Sequence, residues 1–414
     1  MSTSTERLHL TLDDQITDRY YRVPFEITPS TPSVSVQLTY DTSAGVIDLG
    51  CEGATGWRGW SGGARDRFTI TGSAATPGYL PGEPEPGTWH VVLGLHKVPA
   101  AGLDVTVRIS TPAVEQPETE REVPAQTRRV RGSDRNLPAP AGLRWYAGDF
   151  HAHTVHSDGS LSISELAATG VRAGLDFLAV TDHNTTSHHP HLPRVGAMQG
   201  ITLLPGQEVT TARGHANAFG DIGWIDFREP AQTWVSEVAR RGGVLSINHA
   251  IDGDCAWQHP LGELPAALEL WHISWFRDLT STAPWAFHQR WDPGAVILGG
   301  SDFHDRADPW TVGTPTTWVA AEDDSAEAIL AGVQAGRTAI SVGVSEDAVP
   351  RPLHTPVLLR VEDDVIAVAG AGTVLVDAEG RRRRITGDHE RIPATWGTGR
   401  WHLQDADRRV LAIA

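Results

Sequence analysis

The chain has 414 residues, 40% of them hydrophobic and 21% charged, the balance of a folded protein with room for two or three domains, which excludes a disordered chain. Its formal charge of −17 at pH 7 argues against nonspecific binding to nucleic acid or to an anionic membrane, because both are met by basic surface. Two cysteines, Cys51 and Cys255, are too few for a disulfide framework or a thiolate zinc site. No apolar run of about eighteen residues marks a membrane span. The opening stretch MSTSTERLHLTLDDQ lacks the apolar core of a signal peptide, so a reduced, cytoplasmic location is expected.

Residues 1–112 read as short strands broken by Pro and Gly: LHLTL, YYRVPFEI, SVSVQLTY, VIDLG, DRFTITG, WHVVLGLH and LDVTVRIS. Their alternation and spacing predict an antiparallel N-terminal β-sandwich. Tyr20, Tyr21, Trp57, Trp60 and Trp89 are read as core filling in preference to a sugar platform. A Pro-, Glu- and Arg-rich run over 113–143 is a linker or an extended arm.

Residues 144–345 alternate strand-like and helix-like segments. Ser162 and Glu165 form a capping box ahead of Ile163, Leu166, Ala167 and Val171 at helical spacing, and the strand FLAVT follows. Trp234, Val235 and Val238 mark a second helix that stops at Gly242-Gly243 before VLSIN. A third, around Ala326, Ile329, Leu330 and Val333, ends at Gly336 before TAISV. Residues 346–414 open on the Pro-rich AVPRPLHTP and continue as alternating segments, which predicts a small C-terminal β domain. The basic run Arg381–Arg384 is read as an edge strand kept soluble by charge.

The chemistry lies in the α/β region. DFHAHTVHSDG (Asp149–Gly159) puts His151, His153 and Asp158 in one loop after an apolar segment. Four later apolar runs also end in ligand-type residues: FLAVTDH at His183, LLPGQE at Glu208, LSINH at His249 and VILGGSDFH with Asp302 and His304. RGHANAFG adds His215. A strand that ends in His, Asp or Glu ahead of a helix presents that residue at the carboxyl end of a β/α barrel, where such folds build their sites.

These motifs resemble the PHP family, the polymerase and histidinol phosphatase superfamily of metal-dependent hydrolases. The likeness spans about Arg144 to Gly343, and GQEVTTARGHANAFG with AILAGVQAGRTAISVG is most similar to its branch named after carbaryl hydrolases. The resemblance implies a distorted (β/α)7 barrel, here flanked by the two β domains. It also implies a trinuclear centre with two or three divalent ions, zinc, manganese or iron. The first would take His151, His153 and Asp302, with Glu208 bridging to a second held by His215 and His249, while Asp158, His183 and His304 would hold a third.

Hydrolysis of a phosphate mono- or diester by a metal-activated hydroxide is the expected reaction, on a small-molecule substrate. A carbamate, amide or carboxyl ester is the alternative, and a non-catalytic glycan- or protein-binding module is the alternative of another class. Oligomeric state is left open. Asp302 and His304 are candidate catalytic groups as well as ligands. Arg213 and Asn248 are candidate substrate contacts, and Arg306 is a weaker one. Glu269 either holds a ligand imidazole or meets substrate, and His156 is read as supporting the ligands from behind in preference to being a fourth ligand. Asp182 orients His183 or caps the next turn. His188, His189 and His191 are read as a solvated segment beyond the site, and among Trp257, Trp271, Trp275, Trp285, Trp291 and Trp310 one or two form an apolar wall.

Overall fold

A computed structural model describes residues 2–126, 130–272, 275, 283–343 and 354–414. Two compact units are present. The first runs to Arg121 and includes two later segments, His153–Ser162 and Asp182–Pro190; the second holds Glu122–Ala152, Ile163–Thr181 and His191–Ala414.

In the first unit, β1 (Ser2–Leu10), β3 (Ser33–Tyr40), β6 (Arg67–Thr71) and β8 (Leu103–Thr111) form one four-stranded sheet in the order β1-β8-β3-β6. A second has the order β2-β7-β4-β5, from β2 (Tyr20–Ile27), β4 (Val46–Gly53), β5 (Gly56–Gly62) and β7 (Gly87–Lys97). All pairings are antiparallel. Side chains alternate faces along a strand, so Val34, Val36 and Leu38 of β3 and Val105, Val107 and Ile109 of β8 point inward. They share one core with Leu49, Cys51, Val91, Leu93 and Leu95 of the other sheet. Trp89 and Trp60 are 0% and 3% exposed, which settles both as core.

The two later segments pack on this unit. Arg65 donates to the carbonyls of Val155 (2.7 Å) and Ser157 (3.1 Å). Thr185 Oγ1 donates to the Gly78 carbonyl at 2.8 Å, and the Gly78 amide donates to Ser187 Oγ at 3.1 Å. Gly78 has φ of +100°, and a Cβ there would stand 2.7 Å from the Trp60 carbonyl oxygen and 2.9 Å from that of His156. Only glycine permits both the dihedral and the approach.

The second unit is mixed α/β. Its strands begin with β9 (Arg144–Asp149), β10 (Phe177–Val180) and β11 (Thr202–Thr211), which pair in parallel. Next come β12 (Gly214–Phe219) and β13 (Val244–Ile247), each antiparallel to its predecessor, then β14 (Ala267–His272) and β15 (Val296–Gly300) in parallel. β16 (Thr316–Ala321) runs antiparallel to β9 and to β17 (Thr338–Ser341). The helices α2 (Ile163–Ala173), α3 (Leu192–Gln199), α4 (Ala231–Arg240), α5 (Ala283–Trp291) and α6 (Ala326–Gln334) lie between them, after α1 (Leu12–Thr17) in the first unit. Trp234, Val235 and Val238 form the buried stripe of α4, and Gly242 (φ +80°) follows its end, as the sequence predicts. Ser325 caps α6 by accepting from the Ala328 amide.

The expected (β/α)7 barrel is corrected: the hydrogen-bonded ladder does not close. β15 is an edge of a thirteen-stranded sheet, because β9 has β10 on one side and β16 on the other. Beyond the strand ends a single bridge joins Ala152 to Phe303, and Thr317 Oγ1 of β16 meets the Gly299 amide and carbonyl at 2.8 and 2.9 Å. A tight hairpin, Thr211 opposite Gly214, also replaces a β/α unit between β11 and β12.

The C-terminal strands divide between two sheets. β24 (Val410–Ile413) pairs with β17 through Ile340–Ile413 and Ser341–Ala412, and β23 (His402–Gln404), β20 (Val374–Val376) and β21 (Arg382–Arg384) continue the large sheet. β21 ends it, so the basic run is an edge strand. β18 (Val357–Val361), β19 (Asp364–Val368) and β22 (His389–Pro393) make a three-stranded sheet. Most of the Pro-rich segment before β18 lies outside the described residues. Among the described residues, no helix is long and apolar enough to cross a membrane.

Candidate metal centre

The residues of the second unit are anchored from below. Phe150, 2% exposed, packs edge-on against Phe177 and Phe219 with ring centroids 5.2 and 5.3 Å apart, which fixes where β9 ends. The fully buried carboxylate of Asp149 accepts from the amides of His151 (3.1 Å), Ser301 (3.0 Å) and Gly313 (2.7 Å). It ties the loop after β9 to the loop after β15. Burial raises its pKa against those hydrogen bonds.

Glu208, on β11 and 0% exposed, is the hub. Its Oε1 lies 3.2 Å from His151 Nε2, 3.2 Å from His215 Nδ1 and 3.3 Å from His249 Nε2, and it accepts from Asn248 Nδ2 at 2.8 Å. Asn248 therefore positions the carboxylate. The Asp302 carboxylate approaches the same His151 Nε2 at 3.1 Å. On the far side of that ring Nδ1 meets Glu269 Oε1 at 2.9 Å, and Glu269 Oε2 accepts from the His249 amide at 2.8 Å. Of the two roles open to Glu269, the structure shows it holding His151. A Cβ at residue 300 would stand 2.4 Å from both Glu269 Oε1 and His151 Cβ, so glycine is required there.

Two site residues have left-handed backbones: His249 with φ of +28° and Asp302 with φ of +51°. Side chains other than glycine rarely adopt this region, and such strain concentrates at functional positions. Electrostatics follow from the crowding. Burial opposes charge on His151, yet Asp302, Glu208 and Glu269 outweigh it and hold its pKa well above the ordinary value; His249 is raised in the same way. Burial opposes ionisation of Glu269, and His151 and His272 reverse that, so its pKa is lowered.

His272 is a residue the sequence reading missed. It ends β14 and is 4% exposed, with Nε2 3.1 Å from Asp302 Oδ2. The signal was present, since ALELWH is another apolar run that ends in an imidazole. Cys255 is a second omission. Its sulfur lies with ligand atoms of His215 and His249, all within 4.8 Å of one another, so the cysteine count did not exclude a thiolate near the centre. His304 accompanies Asp302, with Nδ1 2.8 Å from the Asp302 carbonyl oxygen.

His153, Asp158 and His183 belong to the first unit, and their ligand atoms also lie within 4.8 Å of one another. The rings of His153 and His183 stack at 4.4 Å, and His183 Nε2 stands 3.5 Å from Asp158 Oδ1. Behind them the buried Asp182 accepts from the Thr154 amide (2.8 Å), Thr154 Oγ1 (2.7 Å) and Ser157 Oγ (2.7 Å), with His188 Nδ1 3.3 Å away. Asp182 thus organises the loop that carries His153 and Asp158. Burial opposes its ionisation, but His188, His156 and His153 win and lower its pKa. His156 meets Ser187 Oγ and Glu120 Oε1, each at 2.7 Å. The reading of the histidine-rich segment as solvated is corrected at His188, which is 0% exposed, whereas His191 is exposed.

The arginines have other partners. Arg213 is exposed and donates to the Gln258 carbonyl at 2.7 Å, and Arg306 pairs with Glu165 at 3.2 Å. Trp234, Trp271 and Trp275 are buried; Trp275 lines a small cavity with His249, Glu269, His272 and Phe287.

The donor set fits divalent cations. Ligand atoms bound ~2.1 Å from one ion stand roughly 3–3.5 Å apart, which is the spacing between Glu208 or Asp302 and His151 Nε2. The buried Nδ1 of His249 has no hydrogen-bond partner among the described residues. Three acids, Glu208, Glu269 and Asp302, meet at one buried place, a density of negative charge that calls for cations.

No family model and no curated protein matches the chain. Among solved structures, similarity is found to a two-domain protein from Bacteroides vulgatus containing a predicted PHP-like metal-dependent phosphoesterase. It has 17% identity and a TM-score of 0.41 over 71% of this chain and 98% of the other. A Bifidobacterium adolescentis protein, named provisionally as a metal-dependent phosphoesterase, covers 40% of this chain and 90% of its own at 19% identity and a TM-score of 0.32. An amidohydrolase from Chromobacterium violaceum, with bound sulfate and no metal, covers 40% and 89% at 16% identity and a TM-score of 0.30. Likenesses this distant carry no argument about activity.

Proposed function

We propose that the chain is a metal-dependent hydrolase of the PHP type acting on a phosphate ester. The observation that carries this reading is the convergence of three imidazoles and the Asn248 amide on one oxygen of Glu208, with Asp302 against the same His151 nitrogen. His151, Glu208, His215, His249 and Asp302 would hold two ions. The resemblance also assigns ligand roles to His153, Asp158 and His183 of the first unit and to His304 of the second. When bound, such ions act as Lewis acids on a substrate oxygen and lower the pKa of water.

The chain's own groups set the protonation states. The Glu269 carboxylate accepts a hydrogen bond from His151 Nδ1–H, which turns Nε2 toward Glu208 and Asp302 as the nitrogen that would ligate a cation. His304 Nδ1 donates to the Asp302 carbonyl, so its Nε2 is the basic nitrogen, suited to bind a cation or to carry a proton to a leaving oxygen.

A second reading, hydrolysis at the carbon of a carbamate, amide or carboxyl ester, is favoured by one observation. Both arginines that a phosphate would call for are held elsewhere, Arg213 by Gln258 and Arg306 by Glu165. Elemental analysis beside hydrolysis of p-nitrophenyl phosphate, bis-p-nitrophenyl phosphate and p-nitrophenyl acetate separates the readings, with His151→Ala as control. Bound metal and phosphate-ester turnover that the variant loses support the first. Turnover of acetate alone selects the second, and no metal with no turnover leaves a binding module.

A further inference from the structure

A cavity of about 280 Å³ opens in the second unit between α5 and the turns that flank β20 and β23, lined by Trp285, His288, Asp377, Arg400 and His402 among others. None of these residues holds the candidate metal centre. The volume is near the lower end of those that take organic ligands.

One wall is aromatic: the rings of Trp285 and His402 lie 5.0 Å apart, inclined by 37°. His288 is 2% exposed, and its Nε2 has no hydrogen-bond partner among the described residues. Arg400 donates to the Ala295 carbonyl at 2.6 Å and makes no ion pair among the described residues. Asp292 acts on Arg400 through space without forming an ion pair with it among the described residues, and a half-buried guanidinium that no carboxylate contacts is better satisfied when an anion meets it. The acid in the lining does not serve, because Asp377 is taken by the Arg381 side chain at 2.9 Å and by the amides of Glu379, Arg381 and Thr398.

Burial drives the pKa of His288 and of His402 down to about 4, so near neutral pH both rings are uncharged and Arg400 is the cation of the lining. Burial also lowers Arg400, with Arg360 adding to the effect, to about 10, where it keeps its charge at pH 7. A flat ring can lie against the wall that Trp285 and His402 form together, and its anionic substituent belongs on Arg400.

We propose that this cavity is a binding site, separate from the metal centre, for a small aromatic carboxylate. Arg400 takes the carboxylate, Trp285 and His402 together form the wall on which the ring packs, and His288 Nε2 supplies a hydrogen bond. A fork of donors suits a carboxylate better than a point charge does.

The test titrates benzoate, with benzyl alcohol as the neutral analogue, into the metal-loaded full chain by calorimetry. Saturable benzoate binding is expected, weakened about tenfold or more in Arg400→Gln and less in Arg400→Lys, which keeps the charge. It should persist in Glu208→Gln. Circular dichroism checks that each variant folds, and Trp285→Phe, which keeps a ring in the wall, should retain binding. No benzoate binding, equal affinity for benzyl alcohol, or binding lost in Glu208→Gln but kept in Arg400→Gln overturns the proposal, the last by placing the acid on the metal centre.

Discussion

Replacing Glu269 with Gln changes one atom and tests how the histidines are held. In the wild type one carboxylate oxygen meets His151 Nδ1 at 2.9 Å and the other accepts from the His249 amide at 2.8 Å. An amide has one accepting oxygen. If that oxygen stays on the His249 amide, the NH2 faces Nδ1, the ring must accept there, and its proton moves to Nε2. That nitrogen then cannot ligate a cation. If the amide flips, His151 is kept but the buried His249 N–H opposes another donor. Loss of such a supporting group costs about 10- to 100-fold in metal affinity, or about 1.4 to 2.7 kcal/mol. Competition with a chromogenic chelator measures the affinity, and turnover is followed at saturating and at limiting metal. Limiting metal should expose the defect, which excess metal partly restores. Wild-type affinity within about threefold in a folded variant, against the ten- to hundredfold expectation, would refute the reasoning.

Other outcomes follow from the same geometry. Glu208→Gln removes the charge on which His151, His215 and His249 converge; it should lower the bound metal and reduce turnover by about 10²-fold or more, read by elemental analysis and initial rates. Asp149→Asn sets an amide NH2 against at least one of the three backbone donors its carboxylate accepts. It should cost about 1–3 kcal/mol, seen as a lower melting temperature. His288 titrates near 4 when folded, below its ordinary 6.5, because burial disfavours its charge. Its contribution is complete above about pH 6.5 and is lost as pH falls toward 4, by ~3 kcal/mol at most. His288→Gln should flatten the fall in stability between those values in denaturant titrations, and an unchanged slope would show that His288 does not set it.

What the sequence made legible is whatever is local. Each ligand-type residue at the end of an apolar run could be found because a strand's end is marked by its own composition, and Glu208, His215, His249 and Asp302 do meet His151 or one another. The buried stripe of α4 and its glycine stop were visible for the same reason. Closure was not, because which strand takes the free edge of β9 is decided by pairing between distant segments, and β16 took it antiparallel. Asp149 is invisible as an anchor because its three donors come from loops after different strands. Cys255 approaches His215 and His249 through a short turn at Gly253–Cys255, a proximity that no count of cysteines reports. His188 is buried although Pro190 beside it marks a loop, since a loop can pack inward when its polar groups find partners such as Asp182.

The first unit is assembled from three stretches of chain, and its last, Asp182–Pro190, comes well after the strands of the sandwich have been made. During synthesis the bonds that join Gly78 with Thr185 and Ser187 therefore wait until β9 and β10, which belong to the other unit, have already left the ribosome. An engineer who cuts the gene at the end of β8 obtains eight strands without the loops that carry His153, Asp158 and His183. Exchange of the sandwich between homologous chains would fail unless both loops travelled with it, so for recombination the unit of inheritance is the first 190 residues.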